Sequence, residues 1–233
     1  MITTGRPLAT QLPLFEGQRA RVVDKPIPSV IACQTNGELI FTLAAFRWFE
    51  GKVLDCTYGR GQWWTRYRPA DLTAHDLHTL DGVDFRQLPH DDGTFDTVCI
   101  DPPHIPAHGP PSAKAIEFAH RFGLDAGMTA VELNAMNRAG VIEAVRVAKP
   151  GGLILAKCCD YTDGSTYRFG LGVITSALEE AGAQLYDVII HASGPGPGSA
   201  QSDTQRRTRV THSYLVVGRR PQRRRQTRTR GGG

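Results

Sequence analysis

Apolar positions along this chain fall into short continuous runs, interleaved with stretches where they recur roughly every three or four residues. A continuous run bounded by Gly or Pro marks a strand buried on both faces, and the three-to-four spacing marks a helix with one apolar face. These rules predict strands at 53–57, 72–74, 95–100, 153–158, 185–191 and 213–217, with a further short element near 83–85. They predict helices at 38–49, 113–122, 129–148 and 171–181, with Gly51 and Gly182 placed to end the first and the last. Another helix is expected after Gly61, and Pro150-Gly151-Gly152 reads as a turn before the strand at 153–158. Strands alternating with helices, the strands apolar throughout, predict an α/β fold with a mostly parallel sheet. Such sheets bind ligands outside the C-terminal ends of their strands, where the turns at 55–61 and 101–104 fall.

Charge divides the chain. The 233 residues carry 27 Lys+Arg and 23 Asp+Glu, a formal +4, yet residues 219–233 hold seven arginines and no acid, which leaves −3 on the rest. The reading is an irregular arm at 1–26, one domain at 27–218 and a disordered basic tail at 219–233. No apolar run approaches the ~18 residues that span a bilayer, and the N-terminus lacks a signal-peptide core. The expectation is a cytoplasmic protein with no membrane partner. Cys33, Cys56, Cys99, Cys158 and Cys159 form no C-x-x-C pair and read as buried reduced thiols.

The first turn, Asp55-Cys56-Thr57-Tyr58-Gly59-Arg60-Gly61, lets the backbone approach a ligand closely at its glycines. No Gly-Lys-Ser/Thr follows, which excludes a Walker phosphate loop, and Trp64 stands where a dinucleotide fingerprint needs its third glycine. The stretch resembles the first motif of S-adenosylmethionine-dependent methyltransferases. That resemblance implies S-adenosylmethionine as cofactor, held by Asp55, Thr57, Gly59 and Gly61. Asp76, just past the second strand, is placed to accept from ribose hydroxyls, or is simply a surface acid at a strand end. Asp84-Phe85-Arg86-Gln87-Leu88-Pro89 resembles the family's adenine-contact segment, with Phe85 on the ring and Asp84 on its amine. The other reading puts Phe85 in the core.

The second turn, Asp101-Pro102-Pro103-His104, ends the run Phe95 to Ile100. It resembles the Asp/Asn-Pro-Pro-aromatic motif of amino-group methyltransferases, which implies catalysis by Asp101, Pro102, Pro103 and His104. An exocyclic amine is a poor nucleophile because its lone pair is delocalised into the ring. A carboxylate that accepts the amine hydrogens positions the nitrogen and stabilises the charge that grows on it. Rigid prolines keep the acceptors preorganised. The family's stacking aromatic is replaced here by His104, which stacks over less area and titrates near neutrality. His104 and His108 are four apart, but Pro106 between them breaks any helix, so no metal site is expected.

The resemblance covers about 28–219 and implies a Rossmann-like class I methyltransferase fold, a seven-stranded, mostly parallel sheet with an antiparallel last strand. It points to small phage or bacterial DNA amino-methyltransferases acting on adenine or cytosine. No segment is left for a second reading domain. DNA recognition then falls to the insertion at 106–125, the loop at 194–211 with Arg206, Arg207 and Arg209, Lys157 at a strand end, and the tail with Arg219 and Arg220. Such cations neutralise phosphates without reading sequence. Asp160 and Tyr161 are candidates to touch the target nucleotide, and Trp63 and Trp64 to pack the following helix or cover the cofactor. RNA is the alternative acceptor; protein glutamine methylation fits less well, because Asp replaces Asn in the turn. A nucleic-acid-binding protein that kept the fold with weak catalysis is the rival from another class. The oligomeric state is not legible.

Overall fold

A strand with no polar side must be covered on both faces, and the computed structural model, which describes residues 26–106, 128–163, 165–194 and 210–222, shows the two covers. The elements in chain order are β1 (Val30–Ala32), α1 (Asn36–Leu43), a 3-10 turn (Ala44–Phe46), β2 (Lys52–Asp55), a second 3-10 turn (Gln62–Trp64) and β3 (Asp71–Ala74). There follow β4 (Phe95–Ile100), α2 (Ala130–Val147), β5 (Ala148–Cys158), the hairpin of β6 (Tyr161–Asp163) and β7 (Thr166–Arg168), α3 (Gly170–Glu180), β8 (Gln184–Ala192) and β9 (Ser213–Arg219). Seven strands form one sheet in the order β1-β8-β9-β5-β4-β2-β3, and β9 runs antiparallel to its neighbours β5 and β8. The other pairings are parallel. This is the Rossmann-like, class I arrangement expected.

Alternate residues of the central strands enter opposite apolar layers. Val98, Ile100, Ile154 and Ala156 join α2 and α3 on one side, and Cys99, Leu153 and Leu155 join α1 and the Trp63-Trp64 pair on the other. Two helices are fixed at their starts by capping boxes. Thr35 and Glu38 bond reciprocally at α1, and Thr129 and Glu132 at α2.

The structure departs from the sequence reading at five places. The helix expected over 38–49 stops at Leu43, tightens to a 3-10 turn and ends at Arg47, which sits left-handed at φ 61°. Gly51, at φ 75°, instead turns the chain into β2, where the Asp96 carboxylate fills the space a Cβ would take. After Gly61 only the single turn Gln62–Trp64 forms. Residues 83–85 pair with no strand; Asp84 starts a turn closed by Gln87 N to Asp84 O at 2.9 Å. The seventh strand is β1, three residues beside β8, too short to show a period. Pro150-Gly151-Gly152 lies inside β5, with the register against β4 shifting between Phe95 and Thr97. A prolyl residue is tolerated at such an irregularity, and a Cβ on Gly152 would stand 2.9 Å from two carbonyl oxygens. The expected helix at 113–122 lies outside the described residues.

Candidate active site

Parallel pairing puts the C-terminal ends of β2 and β4 side by side. From β2 the chain crosses to β3 on one flank, and from β4 it crosses through α2 to β5 on the other, so the sheet's crossover direction reverses between them. That reversal opens a crevice suited to a ligand. The two turns picked out in the sequence meet there. Asp101 N donates to Thr57 Oγ1 at 2.6 Å, tying the Asp-Pro-Pro-His turn to the glycine turn.

Asp101 is the hub of the crevice. Its Oδ2 accepts from Trp63 Nε1 at 2.9 Å and from Asn36 Nδ2 at 3.4 Å, and its Oδ1 lies 3.0 Å from His104 Nε2. About a quarter of the side chain remains exposed. Burial pushes its carboxyl upward, but the Lys157 ammonium, the His104 contact and the Trp63 indole outweigh it and hold the group well below the usual carboxylate range. Lys157 is buried and donates to Asn36 Oδ1. Asn36 thus bridges a fixed cation and a fixed anion. Asn137, from α2, donates to Pro103 O at 2.9 Å and braces the turn from behind.

The β2 end is built differently. Asp55 is only 4% exposed and accepts from Trp64 Nε1 at 2.7 Å and Thr57 N at 3.1 Å. Burial dominates and pushes its carboxyl up to about 7. Gly59 and Gly61 both take positive φ, 54° and 70°. A Cβ on Gly59 would meet only Thr57 O, at 3.9 Å, so the backbone borders open space there. Asp76 closes the turn from across the crevice: its Oδ2 accepts from Gly59 N at 2.8 Å, and its Oδ1 from His78 N and Thr79 N. Burial would raise the Asp76 carboxyl, but these bonds hold it below its ordinary value.

The remaining candidates scatter. Phe85 is buried in the core against Gly140, where a side chain on the glycine would collide with its ring. Asp84 is paired with Arg86. Arg219 belongs to β9 and stacks over Tyr186 at 3.9 Å, and Arg220 donates to the carbonyls of Arg146 and Ala148. The structured chain therefore runs past the expected tail boundary. Arg206, Arg207, Arg209, His108 and most of the insertion and tail lie outside the described residues. All five cysteines are free thiols, and no cluster of metal-ligating groups occurs among the described residues. No helix among them is long and apolar enough to cross a membrane.

A small pocket beside the second turn is lined by His104, Asn137, Cys158, Cys159, Tyr161 and Ile174, among others. Sequence reasoning missed Asn36, Asn137 and the bonding of both tryptophans. Asn137 carried a signal: it is an amide on the buried stripe Leu133, Met136, Asn137, Gly140, Val141 and Ala144 of an amphipathic helix. The indole bonds carried none, because Trp63 and Asp101 are 38 residues apart.

No protein-family model matches the chain, and no curated protein does. Solved structures do. The 4+2 cyclase SpnF superposes with a TM-score of 0.50 at 15% identity, over 79% of this chain and 80% of that one. The 1,6-didemethyltoxoflavin-N1-methyltransferase of Burkholderia thailandensis, with S-adenosylhomocysteine bound, gives 0.46 at 14% identity, over 80% and 78% of the two chains. A presumptive DNA modification methylase from Thermus thermophilus, complexed with S-adenosyl-L-methionine, gives 0.39 at 15% identity, over 76% of this chain and 58% of that one. At such identities the likeness establishes the fold and nothing finer.

Proposed function

We propose that this chain is an S-adenosylmethionine-dependent methyltransferase that acts on the exocyclic amine of adenine or cytosine in DNA. The observation that carries the reading is the 2.6 Å bond from Asp101 N to Thr57 Oγ1, which brings a cofactor-type glycine turn and an amine-holding Asp-Pro-Pro turn into one crevice. A cofactor of this kind presents hydroxyl donors and a sulfonium cation. The crevice has the matching features: backbone open at Gly59, the Asp76 carboxylate beside it, and an ionised Asp101 opposite. Gly59, Gly61 and Thr57 would pass the methionine end, and Asp76 the ribose. Since Phe85 faces the core, exposed Leu77 and Leu80 next to Asp76 would supply the apolar surface for the adenine ring. When bound, the cofactor supplies an activated methyl group.

In this account Asp101 and the carbonyls of the proline turn orient the acceptor amine, and Trp63, Asn36 and Lys157 keep Asp101 charged and still. The catalytic unit would run from about 27 through Arg220, which bonds into the fold. The arginines at 206, 207 and 209 and those of the tail beyond Arg220 would hold phosphates; Arg219 and Arg220, engaged in the fold, would not. The test is calorimetric titration with S-adenosylmethionine, followed by transfer of labelled methyl to DNA, RNA and protein in parallel. Saturable binding and label in DNA nucleosides support the reading. Label in RNA alone moves the acceptor to RNA, and no binding refutes the cofactor.

A further inference from the structure

The loop that presents Asp76 is held by three titratable groups beyond it. Asp76 N donates to Asp81 Oδ1 at 3.2 Å, while the Asp76 carboxylate accepts from Gly59 N. The other Asp81 oxygen, Oδ2, lies 2.5 Å from Nδ1 of His75, a buried residue. His75 Nε2 lies 2.7 Å from His90 Nε2. A line of contacts therefore runs from His90 through His75, Asp81 and Asp76 to the glycine turn.

The partners fix where the protons sit. Burial would raise the Asp81 carboxyl, but His75 and the amides of Asp76 and Val83 hold it below its ordinary value, so it is ionised. An ionised carboxylate only accepts, so His75 Nδ1 carries a proton. Two imidazole nitrogens 2.7 Å apart hold one proton between them. With none, two lone pairs face each other; with two, two N–H groups collide. The pair is satisfied as a neutral unit or with one shared positive charge, and not with two. Its surroundings hold the second proton off. Arg146, from α2, donates to His90 O at 2.8 Å and is itself paired with Asp92 and Glu143. The Phe95 ring of β4 packs edge-on against His90 at 4.8 Å. Burial, His75 and Arg146 keep the His90 imidazole below its ordinary value, against the pull of Asp91.

We propose that His75, His90 and Asp81 are positioning residues for the cofactor, holding Asp76 against Gly59 through one proton shared by the two imidazoles, so that a second proton releases Asp76 and weakens cofactor binding. The proposal rests on the reading of Asp76 as the ribose contact. The ordered loop excludes the second proton, so affinity is complete above the ordinary histidine value of about 6.5 and is lost as pH falls below it. Asp76 itself does not supply this dependence, because its carboxyl is held below its ordinary value. Asp55 changes charge near the same range, at about 7, and the test must separate it.

Calorimetric titration with S-adenosylmethionine at about pH 7.5 and at about pH 5 reads the effect. Wild-type affinity is expected to fall at least about fivefold between the two, within the roughly tenfold per pH unit that one proton allows. His90→Gln sets a neutral amide against His75 Nε2, and the fall should shrink to less than about twofold. An equal fall in His90→Gln assigns it to Asp55 or another group and overturns the proposal. Wild-type affinity that is the same at both pH values does so too. Asp81→Ala should weaken binding about tenfold at the higher pH by freeing Asp76, and binding as tight as wild type would break the link to the histidines. The shared proton is read without cofactor, as nitrogen–nitrogen coupling between His75 and His90 in protein carrying nitrogen-15 histidine. Coupling is expected at the higher pH and its loss at the lower; no coupling at the higher pH contradicts the proposal. Wild type that binds no S-adenosylmethionine at either pH refutes the parent reading and the positioning role together, whereas binding without the pH dependence refutes only the latter.

Discussion

Asp55 and Asp101 end neighbouring parallel strands, and each accepts an indole N–H from one of two consecutive tryptophans. The protein nevertheless treats their charges in opposite ways. Asp55 sees Trp64 and one backbone amide, no cation among the described residues offsets its burial, and burial pushes it to about 7. Asp101 is also desolvated, but Lys157 and His104 stand beside it and keep it ionised. In the proposed function, two acids with pKa values driven apart by their surroundings would have different tasks. The β2 end would work through backbone, with glycines at positive φ and an Asp55 strut that holds Thr57. The β4 end would work through a carboxylate kept ionised, with His104 against it.

Three changes probe that contrast. Gly59→Val should have the largest effect. It forces a β-branched residue to φ 54°, costing about 1–2 kcal/mol or more, and fills the open space beside the turn. S-adenosylmethionine binding is expected to fall by at least about 100-fold by calorimetry, an effect of roughly 2.7 kcal/mol. Unchanged affinity would remove the β2 end from cofactor binding.

Lys157→Met tests the cation itself. Without it the Asp101 carboxyl should titrate at higher pH, followed by carboxyl-carbon NMR. The folded-state pKa of Asp101 is depressed, so its stabilising contribution is present above the unfolded value of about 4 and is lost as pH falls through the folded one. The variant should begin that loss at higher pH. An unmoved titration would assign the depression to the His104 and Trp63 contacts instead.

Asp55→Asn should give the smallest effect, seen only in the pH dependence of stability. The folded-state pKa of Asp55 is raised to about 7. Its contribution is therefore fully present below the unfolded value of about 4 and is lost as pH rises to about 7, at up to about 1.4 kcal/mol per unit. Urea unfolding across that window should show the slope in wild type and a flatter line in the variant. Equal slopes would mean that Asp55 titrates normally.

The sheet was legible because its strands are apolar on both faces: β4 falls on 95–100 as predicted, and α2 matches 129–148 to within a residue at each end. β1 was not legible, since three residues carry no period, and the shortened α1 was not, since its aromatic continuation through Trp48 and Phe49 is apolar for packing rather than helical reasons. The two turns were legible as local motifs at strand ends. What sets their electrostatics was not. Lys157 reaches Asn36 across 121 residues and Trp63 reaches Asp101 across 38, pairings that only the folded sheet brings together. His104 was legible as a departure from an aromatic position, but its bond to Asp101 needed the geometry of the turn.

The central claim is that Asp101 holds the amine that is methylated. Labelled methyl transfer from S-adenosylmethionine to DNA, with the product digested to nucleosides, compares wild type and Asp101→Asn most directly. The account predicts label on the exocyclic amine of adenine or cytosine with wild type, and a loss of about 10²–10³-fold or more with the variant at unchanged cofactor affinity. Asp101→Asn working at the wild-type rate, or label on a carbon or ring nitrogen, would contradict it.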